Sequence, residues 1–488
     1  MPQEHLDRLT AVDASFLMQE KESSHMHIGG LIIAEGPPPA YEDLLDSIRS
    51  RLHLVPRYRQ KLAVPPLETG RPVWVDDPNF FLEYHVRQTA LPSPGDEGQL
   101  TELAARIYSQ RLDRDKPLWE MWLVEGLSGG RFAIISKNHH ALIDGISGVD
   151  LGQVLFDLTP VPTQFPTAEL EPWRANHTPS PIRLISSGIL GAARTTSRVA
   201  STVLRAASNP QRAAVVAKDA VTGVADIAWA TMNPAPETPL NVDIGPHRRY
   251  VTIRSELRDF KEIKDGLGGT VNDVVLTVMT TALRSWLHSR GVRTEGLELR
   301  ALVPVSIRAA DEHGNMGNRL TVMRGPLPVY IDDPLERHRA VCAAMGDLKE
   351  SKQAVGAEVL AGAQNFAPPT LLAQASRLNF STRLFNLLIT NVPGPQFPLY
   401  ILGRELLDVF PIAFLPENHA LAVAIMSYNG KLNFGLLADY DALPDIARIG
   451  EEIEAAIAEL LAMARAERAS ASSSSNGAPT STPRISAP

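Results

Sequence analysis

Residues 131–145 read RFAIISKNHHALIDG, and the architecture of the chain turns on them. The run RFAIISKN, from Arg131 to Asn138, is a largely apolar stretch of strand length that ends in polar residues, the pattern of a buried strand reaching the edge of a core. HHALIDG follows directly, and after it ISGVDLGQVLFDL carries apolar residues at helical spacing. His139 and His140 are therefore expected at the carboxyl end of a strand, a position that commonly borders a cleft. An imidazole can take and return a proton near neutral pH, so either ring is a candidate general acid–base. Asp144, followed by Gly145, is placed for a turn that folds the carboxylate back toward the His140 ring or fixes the backbone around it.

The same residue types also fit a satisfied core pair of histidines or part of a metal site. For a metal, the spacing lacks a clear third ligand, and no HExxH or cysteine pair stands nearby. A serine-hydrolase mechanism is disfavoured because the chain has no G-x-S-x-G elbow, the run GISG at 145–148 having the wrong spacing. A dinucleotide-binding glycine fingerprint is also absent.

Working outward from this strand, the first part of the chain alternates short apolar runs with helical stretches, for example IGGLIIAEG and then EDLLDSIRSRL. That alternation predicts a mixed sheet with covering helices over residues 1–170. Between 171 and 245 the texture shifts to proline-bearing and alanine-rich segments, read as a helical linker. No acidic residue lies between Glu171 and Asp219, while Arg194, Arg198 and Arg205 recur near one helical face. Such a basic amphipathic surface suits anionic lipid or a solvated linking helix. A second lobe is expected over 246–468, with strands at GPHRRYVTIRSEL and ELRALVPVSIR and a helix at TVNDVVLTVMTTALRSWL. Asn429-Gly430 predicts a tight hairpin, and Ile446, Ile449, Ile453, Ile457 and Leu460 mark the apolar face of a closing helix. The Ser-, Ala- and Pro-rich stretch 469–488 is read as a disordered tail.

At 488 residues the chain exceeds what one hydrophobic core usually organises, so two lobes are expected. A hydrophobic share of 44% against 21% charged is that of a globular protein. The formal net charge of -8 argues against nucleic acid as a partner. Cys342 is the one cysteine, which excludes an intramolecular disulfide framework and suits a reducing, cytoplasmic compartment. The start, MPQEHLDRLTAVDASFL, shows no export signal, and no apolar run reaches the roughly 18 residues of a membrane-spanning helix. Membrane contact, at the inner face or on lipid bodies, is expected to be peripheral.

HHALIDG matches the HHxxxDG signature of thioester-dependent acyltransferases. Further segments, LTAVDASFL, HMHIGGL, PLWEMWLVEG, TVNDVVL, VPVSIR, MGNRL and NVPGP, occur in the order found in the bacterial wax ester synthase/diacylglycerol acyltransferase (WS/DGAT) family. The chain resembles that family over roughly residues 9 to 465. The resemblance implies a two-lobed α/β (α+β) fold like that of chloramphenicol acetyltransferase, with mixed sheets, covering helices and an active-site tunnel between the lobes. It implies His140 as the general base, with His139 and Asp144 shaping the site and Arg308 as partner of Asp144. Asn272 and Asp273 match the family's ND motif; Asn272 is a candidate oxyanion donor, with helix capping as the competing role. Pro117, Leu118 and Trp119 are expected to pack the lobe, and the Pro-Gly-Pro run of NVPGP to form a rigid turn.

The expected substrates are acyl-CoA and diacylglycerol or a long-chain alcohol, with no cofactor and no metal. Two other readings share the motif: a condensation-type enzyme fed by a carrier protein, and a lipid-surface protein without catalysis.

Overall fold

Local sequence signals set the elements of the first half. In this computed structural model, residues 7–66, 70–142, 155–163, 173–176, 233–306, 320–350 and 381–475 are described, with a few single positions between 179 and 186. Thr10 caps the first helix, α1 (Ala11–Gln19), by accepting a hydrogen bond from the Asp13 N–H. The strand β1 (His27–Ala34) and the helix α2 (Tyr41–Arg51) form where IGGLIIAEG and EDLLDSIRSRL predict them. A ribbon of β2 (Gln60–Ala63) and β3 (Val73–Asp76) follows, then a short helix α3 (Leu82–His85) leading into β4 (Val86–Ala90). Helix α4 (Glu97–Tyr108) opens on a reciprocal capping box of Asp96 and Gln99. The antiparallel pair β5 (Trp119–Leu127) and β6 (Arg131–His139) then places the two histidines at the end of β6, as the sequence predicts.

The second half runs β7 (Arg248–Ile253), α5 (Leu257–Leu267), α6 (Val271–Ser289), β8 (Leu299–Ser306), β9 (Leu320–Leu327) and α7 (Pro334–Glu350). It continues with β10 (Leu387–Pro393), the short β11 (Tyr400–Ile401), β12 (Arg404–Ile412), the hairpin β13 (Leu421–Tyr428) and β14 (Lys431–Asp439), and α8 (Ile446–Ser475). Asn429 and Gly430 both take positive φ at the hairpin tip, the geometry a two-residue turn requires. Helix α6 is buried nearly all round, consistent with its apolar sequence, and α8 lays its isoleucine face on α5 and α6.

These strands form two six-stranded mixed sheets. The first has the order β11-β12-β1-β6-β5-β4, antiparallel except for the β4–β5 pair. The second has the order β7-β14-β13-β10-β8-β9, with β10 parallel to both neighbours. The first sheet corrects the expected sequential lobes. β11 and β12, from the second half of the chain, complete the sheet of the first half, and β12 pairs with β1 so that Gly29 faces Ile412 and Ile32 faces Val409. Hydrophobic periodicity is local and does not tell which sheet a strand joins, so residues 246–468 could not be divided correctly from the pattern alone.

A second correction concerns the tail. Helix α8 continues through Ser475, so residues 469–475 are helical rather than disordered. The alanine-, glutamate- and arginine-rich run up to Arg468 favours helix, and no glycine or proline interrupts the chain between there and Ser475, the next glycine being Gly477. Residues 476–488 lie outside the described residues, as do Arg194, Arg198 and Arg205 of the basic linker and most of the helix expected after HHALIDG.

The two halves share one apolar core, in which Leu31, Ile33 and Ile135 of the first sheet, Leu276 of α6 and Val423 and Leu436 of the second sheet belong to a continuous buried cluster. Polar clasps reinforce it: Arg254, just after β7, reaches Glu97 at the start of α4 (2.8 Å) and Asp408 on β12 (2.9 Å). No helix among the described residues is long and apolar enough to cross a membrane.

Candidate active site

Two segments pin the end of β6. The His139 N–H donates to the Leu118 carbonyl (2.9 Å) and the His140 N–H to the Met26 carbonyl (2.8 Å), so PLW and HMHIGGL hold the backbone of both histidines. Across the β1–β6 pairing, His27 sits directly opposite His139. Gly29, two residues further, is required by crowding: a Cβ there would lie 2.1 Å from the Ser136 carbonyl oxygen and 2.4 Å from the Tyr108 hydroxyl. After His139 the chain leaves the sheet in a single 3-10 turn over His140–Leu142.

The two imidazoles face different surroundings. His140 stacks on Phe16 of α1, ring centroids 3.9 Å apart and planes 19° from parallel, and meets the edge of Phe414 at 5.8 Å. Phe414 comes from the segment between β12 and β13, so both halves of the chain grip this ring. The residue keeps partial exposure. Its Nδ1 is sealed without a partner of good hydrogen-bond geometry, whereas Nε2 is not among the sealed atoms. Burial among apolar rings, and to a lesser degree the neighbouring His139, push the His140 pKa down to about 4. The ring is therefore neutral at physiological pH. The polar feature that favours its protonated form is its own backbone.

His139 is 1% exposed. Its Nδ1 accepts a hydrogen bond from the Ala141 N–H (3.0 Å), and its Nε2 points to the Glu20 carboxylate at 3.6 Å. Glu20, whose side chain is 1% exposed, also receives Arg111 (3.2 Å) and Arg114 (2.8 Å through Nε). Desolvation works to raise the Glu20 pKa, but His139 and Arg114 outweigh it and hold the carboxyl at about 2. Burial lowers the His139 pKa, and Glu20 opposes that shift.

Residues 9–275 match the wax ester synthase/diacylglycerol acyltransferase catalytic domain, and residues 316–461 match the WS/DGAT C-terminal domain. The chain belongs to the WS/DGAT family. It is an acyltransferase. The probable diacylglycerol O-acyltransferase tgs1 of Mycobacterium tuberculosis is 36% identical, over 94% of this chain and 97% of its own. The probable diacylglycerol O-acyltransferase tgs2 of the same species is 32% identical, over 93% and 99%. The wax ester synthase/diacylglycerol acyltransferase of Marinobacter aquaeolei superposes with a TM-score of 0.65 at 28% identity, covering 94% of this chain and 99% of that one. The starter condensation domain of rhizomide synthetase superposes with a TM-score of 0.55 at 13% identity, covering 94% of each, which is a likeness of fold.

In this WS/DGAT member the ND motif divides its labour. The N-cap of α6 is Thr270, not Asn272, and Asp273 closes a capping box by accepting from the Thr270 N–H (2.8 Å) and hydroxyl (2.8 Å). The competing role for Asn272 is thereby corrected: the capping carboxylate is its neighbour, while Asn272 is half-buried and makes no side-chain hydrogen bond to a described residue. Leu118 and Trp119 are buried, and the Trp119 indole N–H donates to the Tyr58 carbonyl (2.8 Å), in keeping with a packing role. In NVPGP a Cβ on Gly394 would sit 2.2 Å from the Ser427 carbonyl oxygen, and the Pro395 carbonyl accepts from Asn429 at the hairpin tip (3.0 Å). Asp144, Gly145 and Arg308 lie outside the described residues, and the proposed pairing of Asp144 with Arg308 lies outside them too.

The structure adds residues that the sequence did not single out. Phe16 on α1 and Glu20, the residue that caps its C-terminal end four positions on, reach His140 and His139 respectively. Their spacing was a legible signal; nothing in the sequence pointed to Phe414. A cavity of about 280 Å³ lies elsewhere in the first lobe, lined by Arg87, Arg111, Trp119 and Glu120 among others, and His140 is not in its wall.

Proposed function

We propose that this acyltransferase moves a long-chain acyl group from acyl-CoA to diacylglycerol or a long-chain alcohol, giving triacylglycerol or wax ester, with His140 as general base. The observation that carries the reading is the His140 ring: neutral, gripped by Phe16 and Phe414, and sealed at Nδ1, which leaves Nε2 as the nitrogen for proton transfer. In the proposed step Nε2 removes the proton of the acceptor hydroxyl as its oxygen attacks the thioester carbonyl. The tetrahedral intermediate then expels the CoA thiolate, which takes the proton back from Nε2. No covalent acyl-enzyme is needed. Asn272, with no side-chain partner among the described residues, is the proposed donor to the oxyanion, while His139 and Asp144 shape the site.

The names of the mycobacterial relatives favour diacylglycerol as acceptor, and that of the Marinobacter enzyme favours either acceptor. The aromatic walls at His140 suit an apolar chain, which we place in a passage between the lobes. Such substrates partition into lipid, so peripheral work at the inner membrane face or on lipid bodies is part of the proposal. The test is incubation of the purified protein with labelled acyl-CoA and, separately, diacylglycerol, a fatty alcohol and water, followed by product separation. Triacylglycerol or wax ester is expected. Release of free fatty acid alone, or ester only from an acyl carrier protein, contradicts it.

A further inference from the structure

A buried carboxylate beside a catalytic histidine pair calls for a reason, because burying a charge is unfavourable unless partners compensate. Glu20 has them: Arg111 and Arg114 on one side, and the histidine pair side on the other, where His139 Nε2 lies at 3.6 Å and His27 Nε2 at 3.9 Å. The proton positions follow from geometry. The Nδ1 of His139 accepts from the Ala141 N–H, so in the neutral ring the proton must be on Nε2, the atom that faces the carboxylate. That Nδ1–Ala141 bond crosses the residue between them, which is His140. The ring of His139 thus braces the turn on which the proposed base sits.

We propose that Glu20 is a positioning residue of this acyltransferase. Its carboxylate keeps the His139 proton on Nε2, which leaves Nδ1 free to hold the Ala141 N–H and so fixes the backbone that aims His140. The inference rests on the assignment of His140 as base. Helix α1 and its C-cap serve both rings at once: Phe16 stacks on His140, and the C-cap Glu20, whose own N–H is bonded to the Phe16 carbonyl (3.2 Å), faces His139. The low pKa of the Glu20 carboxyl, about 2, keeps it charged across the working range. Without that anion, Arg111 and Arg114 would confront the Nε2–H directly, favouring the tautomer with the proton on Nδ1 and releasing the Ala141 N–H.

The experiment compares wild type, Glu20→Ala and Glu20→Gln in the full-length enzyme, with histidine labelled by ¹⁵N and the His139 signals assigned by their loss in His139→Gln. The wild type should show a protonated Nε2 and an unprotonated Nδ1. Glu20→Ala should shift His139 toward the other tautomer and lower kcat about 10- to 100-fold, the range seen when an outer residue that orients a working histidine is lost, with KM changed less than about 3-fold. Glu20→Gln keeps an acceptor oxygen and should restore the tautomer and part of kcat. The proposal is overturned if wild-type His139 carries its proton on Nδ1, or if Glu20→Ala leaves the tautomer unchanged, whether or not kcat falls. Because the tautomer is read without turnover, failure of the base assignment, shown by an active His140→Ala enzyme, is distinguishable from failure of this one.

Discussion

At His140 the surroundings decide whether the side chain is a base at all. Phe16 and Phe414 exclude water from most of the ring, and burial lowers its pKa to about 4, with His139 adding to the shift. An unfolded imidazole titrates near 6.5. The folded ring therefore stays neutral where an exposed one would protonate, and its contribution to stability is full above about pH 6.5 and is lost as the pH falls toward about 4. The acid limb of kcat/KM, which reports the free enzyme, should accordingly lie near pH 4. Phe16→Ala admits water to the ring and should move that limb upward, toward about 6.5. A pH profile of both proteins checks this, and an unmoved limb in the variant contradicts the role given to Phe16. HHALIDG announced the histidines because both lie in one short run of sequence. Phe414 was not legible, since a phenylalanine distant in sequence carries no mark of what it will stack against.

Among the elements, α6 shows how a motif and a cap can be confused. Asn272-Asp273 was legible as a helix start, but the sequence left open which residue caps, and the structure gives the N-cap to Thr270 with Asp273 as its reciprocal partner. The reason is register: the two halves of a capping box stand three positions apart, and Thr270 is the residue three before the carboxylate. Stability and turnover should therefore separate. Thr270→Ala should cost about 1 kcal/mol in denaturant unfolding with little change in kcat. Asn272→Ala should leave stability within about 0.5 kcal/mol and, as the proposed oxyanion donor, lower kcat by about 10²- to 10³-fold. Equal losses of stability in the two variants would undo this division. The hairpin at Asn429-Gly430, the strand ending at His139 and the isoleucine face of α8 were legible because each is encoded by neighbours in sequence.

At the scale of the whole molecule, two lobes and mixed sheets were legible from length and from alternating patterns, while the exchange of β11 and β12 into the first sheet was not. That exchange has a consequence for the site. β12 pairs with β1, whose His27 lies opposite His139, and the chain leaving β12 supplies Phe414 to His140. β6 is thus braced by both halves of the chain, so the fold can stay intact when the proposed base, His140, is removed. The most direct test is the turnover of acyl-CoA and diacylglycerol by the full-length His140→Ala protein, with its thermal unfolding measured alongside. The account predicts a fall of about 10²- to 10⁴-fold or more in kcat in a protein that still unfolds cooperatively. A folded variant that forms ester at close to the wild-type rate would contradict it.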